Sequence, residues 1–195
     1  MARQRSHTAQ PRSGSPLVVD IARLGRRPGA MFPLHETVAN PTRIGLDLVG
    51  IAAGAPMELD FRMESVSEGV LVSGTVSAPI AGECARCLTP FQEHVEVDVT
   101  ELFAYPDSIT EATTEDDEVG RVIADTVDLE QPIIDAVGLE LSFTPLCHDD
   151  CPGLCATCGV ALAAAEPGHH HDEIDPRWAK LTTMLGSDDD GTGDE

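Results

Sequence analysis

The sequence predicts an α+β protein: a mainly antiparallel β core made of hairpins, one mid-chain helix, and a small C-terminal cysteine-rich, zinc-ribbon-like module. Three patterns carry this. Met57, Leu59, Phe61 and Met63 alternate with Glu58, Asp60, Arg62 and Glu64, the period of a half-buried strand. Leu129, Ile133, Val137 and Leu141 recur at four-residue steps, the period of a helix. Four of the six cysteines fall within the twelve positions from Cys147 to Cys158.

Residues 1–16 are polar, basic and without apolar period, the composition of a disordered tail. A core domain is expected over 17–146. It opens with the β-branched run Leu17–Leu24 as a first strand, ended by the basic loop Gly25-Arg-Arg-Pro-Gly29. The Met57–Met63 strand turns at Ser67-Glu-Gly69 into a partner that carries Val70, Val72, Gly74 and Val76, with Pro79 as a strand end or bulge. Val95, Val97 and Val99 mark the next strand, which puts Cys84-Ala-Arg-Cys87 at a hairpin tip. Pro106–Gly120 reads as an acidic solvated loop without the spacing of a calcium-binding EF-hand. Asp128, with Gln131 three residues on, forms a capping box for the helix, and Pro132 is tolerable there only in the first turn. Residues 147–186 form the metal module, closed by a short helix with Asp175 as N-cap, Pro176 at its first position and Trp178, Leu181 and Leu185 on one face. Residues 187–195 are an acidic disordered tail.

Cys155-Ala-Thr-Cys158-Gly159 has the spacing of a zinc knuckle, in which two thiolates reach one tetrahedral ion and a glycine relieves the turn. Cys147 with Cys151 and Cys84 with Cys87 supply two further pairs, and His169-His-His171 adds imidazoles. One four-ligand site with leftovers, or two sites sharing cysteine and histidine, are both open. Zn²⁺ is the expected ion, since nothing in the sequence points to electron transfer. Three disulfides would suit a short secreted chain, but residues 1–30 lack the apolar segment of a signal peptide. A redox C-x-x-C belongs at a helix N-terminus in a βαβ unit, a setting neither pair has.

The net charge of −22 is split along the chain. Residues 1–43 hold seven arginines against Asp20 and Glu36, net +5, leaving five basic and 32 acidic side chains, net −27, in the rest. Such a body repels phosphate and suits a basic protein partner, so RNA contact falls to Arg23, Arg26 and Arg27. A zinc-ribbon regulator binding nucleic acid is disfavoured on the same ground. No apolar stretch reaches the roughly 20 residues that cross a bilayer, so a cytoplasmic protein without membrane contact is expected. No Ser-His-Asp arrangement, phosphate loop or H-E-x-x-H motif supplies catalytic chemistry, and no enzyme activity or small-molecule substrate is expected.

Gly25-Arg-Arg-Pro-Gly29, Gly82-Glu-Cys-Ala-Arg-Cys-Leu88, the Cys147–Gly159 segment and Asp175-Pro-Arg177, in this order, make the chain similar to the actinobacterial form of the YceD family. The likeness runs from about Leu17 to Leu185. It implies a role in accumulation of large-subunit ribosomal RNA, with that RNA or a small basic large-subunit ribosomal protein as partner. Many relatives carry Cys-x-Cys shortly before Asp-Pro-Arg, where this chain has His169-His-His171. Imidazole replaces thiolate on zinc, so the resemblance implies His169 and His171 as ligands. Other relatives lack much of the second cluster, which implies a structural metal.

Overall fold

The computed structural model describes residues 14–115 and 118–171. The predicted terminal helix at Asp175, the whole acidic tail 187–195 and residues 1–13 of the basic tail lie outside the described residues. The chain divides into two compact units, Met1–Asp150 and Cys151–Glu195.

The first unit is built on a seven-stranded sheet. Its spine is the hairpin of β6 (Gly69–Glu83) and β7 (Pro90–Ala104), paired antiparallel from Gly69–Ala104 to Glu83–Pro90. The other edge of β6 pairs first with β5 (Pro56–Ser65), from Ser65–Val70 to Glu58–Ser77, and then with β4 (Val49–Ile51) at Ala81 and Gly82. β2 (Met31–Ala39) continues the sheet beyond β5 and β3 (Ile44–Gly45) beyond β4. β8 (Gly120–Arg121) adds a short parallel pairing to the end of β7. β1 (Val18–Asp20) and β9 (Thr126–Asp128) form a separate antiparallel pair.

The alternation places its side chains as expected. Met57, Leu59, Phe61 and Met63 of β5, Val70, Val72 and Val76 of β6, and Val95, Val97 and Val99 of β7 are all buried. Each such side chain contributes about 1.5–3 kcal/mol of transfer free energy. Helix α2 (Glu130–Glu140) packs against β7 and β3 and buries Ile133 and Val137. Val19 and Val127 of the small sheet and Leu17 and Leu129 beside it join the same core.

Several expectations are corrected. The first strand shrinks to Val18–Asp20, because the Asp20 carboxylate accepts from the Ala22 N–H and Leu24 N–H bonds the Ile21 carbonyl, turning the chain. Pro79 neither ends nor bulges β6: it falls in the gap between the Ser77 pairing with β5 and the Ala81 pairing with β4, where that edge has no partner to lose. The acidic loop contains a short helix, α1 (Ile109–Thr113), because the Ser108 hydroxyl accepts from the Glu111 N–H. No capping box forms at α2: Leu129 is the N-cap, Asp128 accepts from the Glu130 N–H, and the Gln131 amide bonds Asp135 instead. Strands β2 to β4 had no clear period, since Glu36 breaks the alternation of Phe32, Leu34 and Val38, and β3 and β4 are too short to show one.

Gly74 sits opposite Phe61, and a Cβ there would lie 2.0 Å from the Asp60 carbonyl oxygen. Gly74→Val therefore overpacks the centre of the sheet; the unfolding free energy in urea should fall by about 1–3 kcal/mol. Glu101 continues the inward-facing row of β7, where burial and the Asp135 carboxylate of α2 push its carboxyl pKa up. A carboxyl raised on folding contributes stability below its unfolded pKa, and loses it as pH rises through the folded value. Glu101→Gln should therefore raise the melting temperature most at pH 7, and the gain should shrink as the pH is lowered towards 4.5.

Candidate metal centres

The two long strands of the spine end in the Cys84–Cys87 knuckle. The Cys84 N–H bonds the Thr89 carbonyl at 3.0 Å and the Leu88 N–H bonds the Cys84 carbonyl at 2.9 Å, closing the turn over the two thiols. Leu88 takes the left-handed conformation, φ 59°, that the tight turn demands after the second cysteine. The Ala85 N–H bonds the Pro145 carbonyl at 2.8 Å and ties the tip to the segment before Cys147. The Cys87 and Cys147 sulfurs stand 3.6 Å apart. The sulfurs of Cys84, Cys87, Cys147 and Cys151 make a four-ligand group, all within 4.8 Å of one another.

The second group lies in the second unit and repeats the turn. The Gly159 N–H bonds the Cys155 carbonyl and the Cys155 N–H bonds the Val160 carbonyl, both at 2.8 Å, and Gly159 occupies φ 74° where Leu88 stands in the first. A single 3₁₀ turn, Leu162–Ala164, and the bend at Gly168, φ 82°, bring the histidines back to this knuckle. His169 Nε2 lies 3.4 Å from the Cys158 sulfur and 3.1 Å from His171 Nε2. Cys155, Cys158, His169 and His171 make the second group.

Both groups fit a tetrahedral ion. Metal–sulfur bonds of about 2.3 Å and metal–nitrogen bonds of about 2.05 Å give edges of about 3.8 Å between sulfurs, 3.6 Å between sulfur and nitrogen and 3.3 Å between nitrogens. The observed 3.6, 3.4 and 3.1 Å are each slightly tighter. All six cysteines are free thiols, and the disulfide framework does not form. Burial pushes the Cys84 thiol up, but backbone hydrogen bonds from Cys147, Cys87 and Arg86 outweigh it and bring its pKa down to about 6. Backbone hydrogen bonds from Cys158 and Thr157, with His169 beside them, bring Cys155 to about 6 as well. Each knuckle thus favours the thiolate, the form that binds metal.

The eight predicted ligands are sorted by the fold into these two sets, without leftovers. The arginines go elsewhere. Arg23 stacks 3.8 Å from the centre of the Phe32 ring and Arg26 stacks 4.9 Å from that of Tyr105, whose hydroxyl bonds Ser65. Arg27 is exposed. The stacking partners were not legible, because Tyr105 is 79 residues from Arg26 and no local pattern links them.

The family model for the large ribosomal RNA subunit accumulation protein YceD matches residues 72–185, a span holding both metal groups. The chain belongs to the YceD family. It is 67% identical over 190 residues to an uncharacterized protein of Mycobacterium tuberculosis, covering 97% of this chain and 91% of that one. An uncharacterized protein of Mycobacterium leprae is 60% identical over 188 residues, 96% of this chain and 86% of its own. The uncharacterized protein YlbN of Bacillus subtilis is 26% identical over 175 residues, 87% of this chain and 97% of its own. No solved structure matches the chain. The YceD match begins within β6, so Arg23, Arg26 and Arg27 fall outside it. Among the described residues no helix is long and apolar enough to cross a membrane.

If both groups are filled, elemental analysis of reduced, metal-replete protein should give two equivalents of divalent metal per chain. Cys155→Ser with Cys158→Ser should lower this to one and leave the unfolding transition of the β sheet in place. A loss of both equivalents would mean that the groups do not bind independently.

Proposed function

We propose that the protein is a ribosome-biogenesis factor that supports accumulation of large-subunit (23S) ribosomal RNA as a binding protein of the cytoplasm, and not as an enzyme. Membership of the YceD family carries this reading. Both metal groups are zinc sites in it, and the second unit is a zinc-ribbon-like module. Each group supplies four protein ligands, which fill a tetrahedral ion and leave no position for a substrate, as in structural zinc sites. A thiol-redox role for either C-x-x-C is less favoured, because each pair faces two further ligands and neither begins a helix.

The direct partner in this reading is a small basic ribosomal protein of the large subunit. Outside residues 1–43 the chain carries net charge −27, which repels a phosphate backbone and attracts a basic surface. Arg23 and Arg26 are engaged with aromatic rings, so the basic loop is held against the sheet. Filter binding of the full chain to large-subunit ribosomal RNA, with no other protein present, separates the two partners. The expected outcome is no sub-micromolar binding at physiological salt, whereas capture by basic ribosomal proteins weakens steeply as salt rises. Tight RNA binding abolished by Arg27→Glu would reverse the assignment and make the arginine loop the functional surface.

A further inference from the structure

We propose that the second group, Cys155, Cys158, His169 and His171, is an exchangeable metal site, taking up and releasing a zinc-type divalent cation while the first group keeps its own ion. The inference rests on the reading of both groups as zinc sites and concerns how differently they hold the metal.

Three observations separate the groups. The first is access: Cys84 is 0% and Cys151 3% exposed, and Cys87 and Cys147 are half-buried. In the second group Cys158 and His171 are exposed, and only Cys155 and His169 are half-buried. An incoming ligand can reach an ion held by the second set from solvent, and attack by such a ligand is how a filled tetrahedral site loses its metal. The second is the ligand set, four thiolates against two thiolates and two neutral imidazoles. Thiolates bring more charge to the ion, so the first set holds it more tightly.

The third is support around the ligands. A zinc-bound imidazole ordinarily donates its other ring N–H to a carboxylate, carbonyl or water that fixes the ring, and losing such a partner costs about 10–100-fold in metal affinity. His169 and His171 both turn Nε2 into the group, leaving Nδ1 outward. Among the described residues no hydrogen bond holds either Nδ1; the neighbouring His170 is the one that bonds a carbonyl, that of Gly168, at 2.7 Å. In the first group the Arg86 N–H bonds the Cys84 sulfur and the Cys87 thiol meets the Thr89 hydroxyl at 3.2 Å. The first set is shielded and buttressed, whereas in the second Cys158 and His171 are exposed and, among the described residues, no hydrogen bond holds the outer nitrogen of either ligand imidazole. The second group thus fills and empties with the supply of free metal, and the first does not.

The test uses the full chain, reduced and loaded with zinc, challenged with excess EDTA while a chromogenic zinc indicator follows release in a parallel competition. Two phases of one equivalent each are expected, the faster by about tenfold or more. Cys155→Ser with Cys158→Ser should remove the fast phase alone. Iodoacetamide added after brief chelation, with the labelled positions read by mass spectrometry, should mark Cys155 and Cys158 and spare Cys84, Cys87, Cys147 and Cys151. Release of two equivalents at one rate, or early labelling of Cys84 and Cys87, would overturn the inference while leaving zinc binding intact. Protein that holds no zinc at all would sink the zinc reading itself, and this inference with it.

Discussion

The continuous pairing of β6 with β7 is the interaction on which the rest of the first unit depends. Fifteen residues of each strand are matched without a slip, from Gly69–Ala104 to Glu83–Pro90. One face of this ribbon carries the valines of the core, and a one-residue shift would turn all of them to solvent. The same register fixes the tip. Because the strands end together at Glu83 and Pro90, the six residues between them can close only as a tight turn, and that turn carries Cys84 and Cys87. Core packing and ligand placement are therefore set by one ladder.

The metal groups extend this economy. Both use the same local device, a turn whose backbone N–H groups point at the first cysteine sulfur; together with the Cys147 N–H in the first set and His169 in the second, they lower its pKa to about 6. Local turn geometry supplies two ligands of each set, and chain returning from elsewhere supplies the other two. In the first set the returning segment is fixed through the Pro145 carbonyl. In the second it comes back through the Gly168 bend within the same small unit. The surroundings differ accordingly: Cys84 and Cys151 of the first set are buried, whereas Cys158 and His171 of the second are exposed.

Stacking holds two arginines of the basic N-terminal segment against aromatic rings. Arg23 and Arg26 spend their flat guanidinium faces on Phe32 and Tyr105, and Tyr105 is itself held by Ser65 and the Gly25 carbonyl. Arginine suits such a role because its delocalised, weakly hydrated cation stacks on a ring while its edge stays in water. The loop is thereby ordered against an otherwise acidic protein.

Much of this was legible in the chain. The period-two valines and methionines determined β5, β6 and β7 and their inward faces, and the four-residue step determined α2, because burial of one face is a local pattern that any stable packing must satisfy. The knuckle spacings pointed to Cys84, Cys87, Cys155 and Cys158, since two thiolates two residues apart converge whatever the surrounding fold, while clustering added Cys147 and Cys151 and the family resemblance added His169 and His171. What needed the tertiary structure was every long-range choice. Pro79 passes through a strand only because two different partners leave a gap beside it, and Glu101 faces inward only because β7 keeps its register past Val99. The sorting of eight ligands into Cys84, Cys87, Cys147 and Cys151 on one side and Cys155, Cys158, His169 and His171 on the other was decided the same way. Spacing says which atoms can share an ion, but which pairs meet depends on where the fold brings back segments 60 residues apart, such as Cys87 and Cys147.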